Sequence, residues 1–181
     1  MKPLLPITLL LAVCVLACTS PVAPEKNVSL QKEDTMLNVQ KNKEVVRHLY
    51  EDCLNKQDYA RLADYVAEEY VGPGGHKGPD GFVMPVKPLL RAFPGLQWRI
   101  EELFGEADKV VVRWSWKATF ENTFDGPISG PVAPTHQLIS NEAIAIYQLR
   151  DGKVTNVWMQ TDRLGFLQQI GLVSQRFVPS K

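Results

Sequence analysis

The sequence predicts an α+β domain in which helices pack on one face of a curved antiparallel sheet. Apolar residues recur at helical spacing in the first part of the domain, and after Pro94 they alternate with a period of two. The dipeptide Asp151-Gly152 between two alternating runs is a strong signal for a two-residue β-hairpin. Helices that precede the strands, rather than alternate with them, are typical of the α+β class.

The same patterns place each element along the chain. Helical spacing predicts a first helix at 42–55 with Asn42 as its N-cap, a shorter helix after Asp58, and a third at 82–92. Alternation predicts strands at 97–104, 109–120, 137–149 and 154–161. The Gly- and Pro-rich stretches 71–81 and 124–134 are predicted loops, and a closing helix begins at Asp162 or Arg163.

The N-terminal segment is predicted to be a targeting signal. Residues 1–17 carry a basic residue and then an apolar run that is too short to span a bilayer, as in a secretory signal peptide. The sequence Val15-Leu16-Ala17-Cys18 resembles the lipobox of bacterial lipoproteins, in which the cysteine thiol is acylated. An ordinary signal peptide is the alternative. The resemblance implies lipidation at Cys18 and anchoring to the membrane. Because Thr19 rather than Asp follows the cysteine, the expected location is the outer membrane, facing the periplasm.

Composition and patterning divide the rest of the chain. Residues 18–41 are polar with no apolar period, which predicts a flexible tether, and residues 42–181 form the predicted folded domain. With 45% hydrophobic and 22% charged residues, the chain is ordinary for a soluble globular protein. Its 20 basic residues balance its 20 acidic ones, which argues against nonspecific nucleic-acid binding.

The ordered set of segments resembles the SnoaL-like polyketide cyclases of the nuclear transport factor 2-like superfamily. The resemblance covers about residues 42–172, and the segments that carry it are 42–47, 49–51, 54–55, 67–71, 78–82, 93–96, 108–110, 151–154 and 162–171. It implies a cone-shaped α+β barrel whose sheet encloses a mostly apolar cavity, often in a homodimer. It also implies aldol ring closure by an aspartate near the last strand, without a metal or cofactor. Many members carry an acidic residue directly after the strand tryptophan, whereas here Met159 follows Trp158.

Two residues are candidates for acid/base catalysis. Asp162 ends the last strand, where a desolvated carboxylate could act near neutral pH; alternatively, it is the N-cap of the closing helix. His76 lies in the Gly-rich loop, either facing a ligand or exposed to solvent. The three histidines have no metal-ligand spacing, so no metal site is predicted.

Five strand residues are candidates for ligand binding. Glu142 and Gln148 share one side of a strand with apolar neighbours, and the sequence does not decide whether that side lines the cavity. Trp114, Trp116 and Trp158 are aromatic residues of either the cavity or the core. The sequence predicts a domain that binds a small apolar organic molecule. It leaves open whether the domain catalyses cofactor-independent ring closure or isomerisation, or is a non-catalytic binding or dimerisation module.

Overall fold

The computed structural model describes residues 25–126 and 130–174 and confirms the α+β class. Five α-helices lie in these ranges: α1 (Glu25–His48), α2 (Leu62–Tyr65), α3 (Gly78–Val83), α4 (Lys87–Ala92) and α5 (Arg163–Gln169). The six strands are β1 (Arg99–Glu106), β2 (Lys109–Thr119), β3 (Phe124–Gly126), β4 (Gly130–Val132), β5 (Leu138–Arg150) and β6 (Lys153–Thr161). A π-helical turn (Leu49–Leu54) follows α1, and 3-10 turns lie at Tyr59–Arg61 and Pro73–Gly75.

Four strands form the main sheet, in the antiparallel order β1-β2-β5-β6. The sheet is curved but is not closed into a complete barrel. Strands β3 and β4 pair as a separate ribbon within the predicted loop 124–134, whose start and end are therefore extended and paired rather than irregular. In the β5–β6 turn, both Asp151 and Gly152 have positive φ, as the predicted hairpin requires.

The core lies between the helices and the concave face of the sheet. Strand alternation buries Val110, Val112, Trp114, Trp116 and Ala118 on that face, as the period of β2 predicted. The end of α1 and the π-helical turn that follows it pack against these residues. Their buried side chains include Val46, Leu49, Cys53 and Leu54.

The predicted flexible tether is wrong for residues 25–41, which form the first part of α1. This stretch has no Pro or Gly and is rich in Glu, Lys and Gln, which favour helices. The sequence shows no apolar period here, and the side chains at 33–38 are all exposed, so no buried face required one. Asn42, the predicted N-cap, therefore lies inside α1. The predicted signal peptide, Cys18 and the first part of the tether lie outside the described residues.

The predicted third helix, 82–92, is replaced by two short helices. The first, α3, starts earlier than expected, at Gly78, and ends at Val83. The second, α4, carries Pro88 in its first turn, where the missing backbone N–H costs no hydrogen bond. The proline thus starts a new helix instead of continuing the old one.

A cluster of charges ties α1 to the segment that follows it. The carboxylate of Asp52 accepts hydrogen bonds from Lys56 Nζ at 2.7 Å and Arg61 Nη1 at 2.8 Å, and His48 Nδ1 lies 3.0 Å from it. The hydrogen bond from Lys56, with those of the other partners, lowers the pKa of Asp52 to about 2. Since Arg61 precedes α2, this cluster fixes α2 beside the π-helical turn.

Candidate functional site

The middle of the concave face combines large and small side chains. In the β2–β5 register, Trp114 lies opposite Ala143 and Val112 lies opposite Ala145. Small residues beside a large aromatic ring leave the ring's edge uncovered by the neighbouring strand. The two alanines therefore reduce the side-chain volume at the centre of the face, which is closed to solvent here, since Ala143 is 5% exposed and Ala145 is 0% exposed.

A pair of tyrosines joins the π-helical turn to this face of the sheet. The Tyr50 hydroxyl lies 2.6 Å from the Tyr147 hydroxyl, and the two rings meet edge to face. Tyr50 is 2% exposed and Tyr147 is 3% exposed. Burial is the largest cause that raises the pKa of both phenols well above 10. Both hydroxyls therefore stay protonated and do not act as bases; one donates its proton to the other, which leaves the pair one O–H that can donate to a further acceptor.

Two indole N–H groups lie on the same face of β2. Trp114 Nε1 and Trp116 Nε1 are both buried. Trp116 Nε1 has no hydrogen-bond acceptor among the described residues, whereas Trp114 Nε1 makes no well-formed hydrogen bond but interacts with the Tyr50 hydroxyl and acts to lower its pKa. The Trp116 ring is held in place, since its centroid lies 5.3 Å from that of Phe93 and 6.1 Å from that of Phe166. An unpaired buried donor costs about 1–3 kcal/mol, so the Trp116 indole favours an acceptor from outside the chain.

The concave face is open along β6. Met159 pairs with Ala145 and so shares its side of the sheet, but Met159 is 51% exposed. Its neighbours on that side, Val157 and Thr161, are partly exposed. The helices therefore leave this edge uncovered, and it is the natural route from solvent toward the alanines and tyrosines.

The groups available for chemistry on this face are neutral donors. Asp52 is the only charged side chain that is buried within the described residues, and three basic groups already surround its carboxylate. The position after Trp158, where the resemblance described above would place an acidic residue, holds Met159. The face can therefore bind and polarise an acceptor oxygen, but its described side chains do not supply a desolvated carboxylate.

The ligand-binding residues predicted from the sequence divide between the two faces of the sheet. Trp114 and Trp116 lie on the concave face, whereas Glu142, Gln148 and Trp158 lie on the outer face, which points away from the helices. Gln148 there donates a hydrogen bond from Nε2 to Asp108 Oδ2 at 2.9 Å, and Trp158 is 48% exposed. The sequence had left open which way this strand side points, and in the structure it points outward.

Asp162 occupies the N-cap position of α5. Its exposed carboxylate accepts a hydrogen bond from the Gly165 backbone N–H at 2.9 Å, as in the N-cap alternative. It also borders a pocket of about 210 Å³ on the outer face, together with Arg113, Glu142 and Gln160. Asp162 is thus solvated and is separated by the sheet from the tyrosine pair.

His76 is exposed in the loop between α2 and α3. Its backbone carbonyl accepts a hydrogen bond from the Gly72 N–H at 2.8 Å, which closes the loop. No group of three or more His, Cys, Asp or Glu side chains in the described ranges is arranged to hold a metal ion. In the same ranges, no helix is long and apolar enough to cross a membrane.

Sequence reasoning missed Tyr50, Tyr147 and the open edge at Met159. One signal was available: Tyr147 shares its strand side with Ala143 and Ala145, and a phenol beside two alanines is unusual on a buried face. The pairing of the two tyrosines joins residues 97 positions apart and depends on the π-helical turn. Local patterns do not contain that information.

Comparisons with known proteins agree on one family. The model of the SnoaL-like polyketide cyclase family matches residues 44–170. No curated protein sequence matches the chain significantly.

Solved structures with this fold come from several bacteria. TsrD from Streptomyces laurentii is 22% identical, covers 74% of this chain and 97% of its own, and superposes with a TM-score of 0.64. A proposed polyketide cyclase from Acidithiobacillus ferrooxidans is 29% identical, covers 72% and 94% of the two chains, and has a TM-score of 0.60. AclR from Streptomyces galilaeus, a proposed hydroxylase, is 23% identical, covers 75% and 87%, and has a TM-score of 0.62.

Proposed function

Because the chain belongs to the SnoaL-like polyketide cyclase family, we propose that it binds a small apolar organic molecule with a carbonyl oxygen. The ligand would enter past Met159 and, by displacing the side chains that cover them, lie over Ala143 and Ala145 on the concave face. Apolar walls with a few convergent polar groups are typical of small-molecule sites.

The observation that carries this proposal is the buried Trp116 indole N–H, which has no acceptor among the described residues. With the one O–H that the tyrosine pair does not use internally, it supplies donors on the same face. A carbonyl or enolate oxygen is an acceptor that needs no donor of its own. Donors that are already fixed in a dry site stabilise charge on such an oxygen without reorganisation.

The proposed role is hydrogen bonding to the ligand rather than proton abstraction. With their pKa values raised by burial, Tyr50 and Tyr147 hold their protons, and the one O–H not used between them would polarise the carbonyl. Removal of a proton from carbon would need a base, and the described side chains of the concave face do not supply one. A non-catalytic or carbonyl-polarising site is therefore favoured over carboxylate catalysis, and it needs no cofactor.

Cofactor-independent ring closure or isomerisation with Asp162 as the acid/base is the second candidate. The pocket that Asp162 shares with Glu142 and Arg113 on the outer face favours it. In that case, Asp162→Asn would preserve folding and abolish turnover. If the concave face is the site, the same variant binds ligand like the wild type.

Matched probes test the first candidate. We expect the full chain carrying Cys18→Ala, assayed without detergent, to bind 2-acetonaphthone more tightly than 2-ethylnaphthalene, which has the same shape without the carbonyl. Tyr147→Phe should weaken binding of the ketone by about three- to tenfold, the value of one hydrogen bond, and leave the hydrocarbon unaffected. Tyr59→Phe, a partly buried tyrosine outside this cluster, is the control. Equal loss for both probes, or no binding of either, would refute the proposal.

We also propose that the protein is an outer-membrane lipoprotein anchored through Cys18 and facing the periplasm. The lipobox-like sequence supports this. In cells, Cys18→Ala should move the protein from the membrane fraction to the soluble fraction. Unchanged partitioning would contradict lipidation at Cys18.

A further inference from the structure

Helix α5 covers one end of the concave face with an aromatic ring. The centroid of the Phe166 ring lies 6.1 Å from that of Trp116, 6.1 Å from that of Phe93 and 5.6 Å from that of Phe124. Phe93, which also contacts the indole of Trp116, is fully buried, whereas Phe166 is 8% exposed. Of these two rings, Phe166 is therefore the one on the solvent side of the indole.

Helix α5 is attached to the sheet by one polar side chain and two apolar ones. Strand β6 ends before it reaches Ser140 of β5, and the Gln169 side chain takes the place of the missing strand. Its Oε1 accepts a hydrogen bond from the Ser140 N–H and its Nε2 donates one to the Ser140 carbonyl, both at 2.9 Å. A seven-residue helix is marginal by itself, so these bonds and the buried Phe166 and Ile170 hold it in place.

Helix α5 starts at the open edge of the concave face. Thr161, the last residue of β6, pairs with Ala143, and α5 begins two residues later. Because Ala143 is 5% exposed, a ligand reaches the surface above it only if a covering side chain moves. Phe166 lies one turn into α5, so it is a covering ring carried by the element next to this edge.

We propose that Phe166 is a plug of the ligand site and that α5 is its gate: α5 lifts from β5, and an apolar ring of the ligand replaces the Phe166 ring beside Trp116. This inference rests on the proposed binding of a carbonyl compound to the concave face. Exchange of one ring for another preserves the packing against Phe93. It also brings the oxygen of the ligand to the Trp116 N–H, which has no acceptor while the plug is in place.

Lifting α5 has a free-energy cost, and this cost lowers the apparent affinity by the fraction of molecules that are open. The movement breaks both hydrogen bonds between Gln169 and Ser140. It does not break the bond from the Gly165 N–H to Asp162, because both groups belong to the moving helix and its cap. The affinity should therefore respond to changes at Gln169 and Phe166, and not to loss of the N-cap.

Truncation of the plug tests the exchange of rings. In the full chain carrying Cys18→Ala, Phe166→Ala should bind 2-acetonaphthone and 2-ethylnaphthalene at least about tenfold more tightly than the parent, because no ring has to leave. The preference for the ketone should persist. Phe82→Ala on α3 is the matched control: Phe82 is also 8% exposed, packs against Tyr70 and lies outside the Phe166 cluster, so its truncation should not tighten binding. Thermal unfolding of each variant checks that it is folded.

A second variant opens the gate and keeps the plug. Gln169→Ala removes both hydrogen bonds to β5 and should tighten binding of both probes by about three- to tenfold. Gln168→Ala is the same change on the same helix, but the Gln168 side chain donates to the Ser174 carbonyl instead of to β5. It should leave both affinities unchanged.

Amide hydrogen exchange reports the movement of α5 directly. Addition of 2-acetonaphthone should speed exchange in α5 and slow it in β2, because the helix lifts while the ligand covers the sheet. Slower exchange in α5 on binding, or no gain in affinity in Phe166→Ala and Gln169→Ala, would overturn the plug and leave the proposed function standing. If the parent and both variants bind neither probe, the proposed function fails, and the plug fails with it.

Discussion

The two faces of the main sheet are built from alternate residues of the same strands, yet they differ in almost every physical respect. On the concave face, side chains are buried, neutral and rich in hydrogen-bond donors, with Tyr147 paired to Tyr50. On the outer face, apolar and charged side chains are exposed or partly exposed side by side, as Arg113 of β2 and its cross-strand neighbour Ile144 of β5 are. The comparison shows that one set of strands builds a buried, donor-rich face and an exposed face of mixed apolar and charged side chains, so the two faces present different chemistry to their surroundings.

The largest expected difference between the two faces is in the free energy of unfolding, and it is tested at two adjacent residues of β5. Ile139 is 1% exposed on the concave side, and Leu138 is 68% exposed on the outer side. Ile139→Ala should lower the free energy of unfolding by about 2–5 kcal/mol, because it leaves a cavity in the core. Leu138→Ala should change it by less than about 0.5 kcal/mol. Urea denaturation measures both, and similar losses would mean that the burial assigned to the two faces is wrong.

A smaller effect is expected for the tyrosine pair. Tyr50→Phe or Tyr147→Phe alone leaves one buried hydroxyl without its partner and should cost about 1–2 kcal/mol. The double variant should cost less than the sum of the single changes, because neither hydroxyl then remains unpaired. A double-mutant cycle by urea denaturation tests this, and strict additivity would show that the hydrogen bond contributes nothing.

The tyrosine pair also predicts that the stability of the fold decreases at alkaline pH. The pKa of each phenol is higher in the folded state than its ordinary value near 10, so the folded state holds these protons more tightly. Their contribution is therefore fully present below about pH 10 and is lost as the pH rises above it. Between pH 8 and pH 11 the wild type should lose more stability than the Tyr50→Phe/Tyr147→Phe variant. Parallel loss in the two proteins would contradict the pKa direction.

The smallest effect is expected at Asp162, at the edge of the outer face. Asp162→Ala removes the N-cap of α5 and should cost about 0.5–2 kcal/mol, whereas Asp162→Asn keeps a cap and should cost a few tenths at most. Thermal unfolding measures the two variants. Binding of 2-acetonaphthone, measured in parallel, should not change in either variant. A loss of binding in both variants would indicate that Asp162 takes part in binding the ligand.

The fold was predictable from the sequence wherever local patterning decides structure. Alternation identified the buried side of β2, and Asp151-Gly152 fixed the β5–β6 hairpin. The first part of α1 was missed because its sequence has no apolar period, and its side chains at 33–38 are exposed in the structure. Only the composition of this stretch indicated a helix. The side of β5 that carries Glu142 could not be assigned, because both of its sides contain apolar residues.

The candidate site was less predictable, because it depends on contacts between distant segments. Trp114 and Trp116 could be chosen as aromatic residues on a regular strand, but the unpaired N–H of Trp116 is a property of the packed interior. Asp162 was attractive as a carboxylate at a strand end, and only the geometry of α5 shows that it accepts a backbone hydrogen bond. Sequence patterns indicate which side chains are buried; they do not indicate which polar atoms remain without partners.

The π-helical turn at Leu49–Leu54 has a consequence for how this chain can vary in length. Its hydrogen bond from the Asn55 N–H to the Tyr50 carbonyl spans five residues instead of four, so the turn holds one residue more than an α-helical turn would. Deleting any one residue of the turn would restore α-helical spacing and rotate the helix before it by about 100° relative to the sheet. Val46 would then leave the core. The phase of the whole N-terminal helix is therefore set by this one additional residue, and single-residue deletions here should be far less tolerated than substitutions.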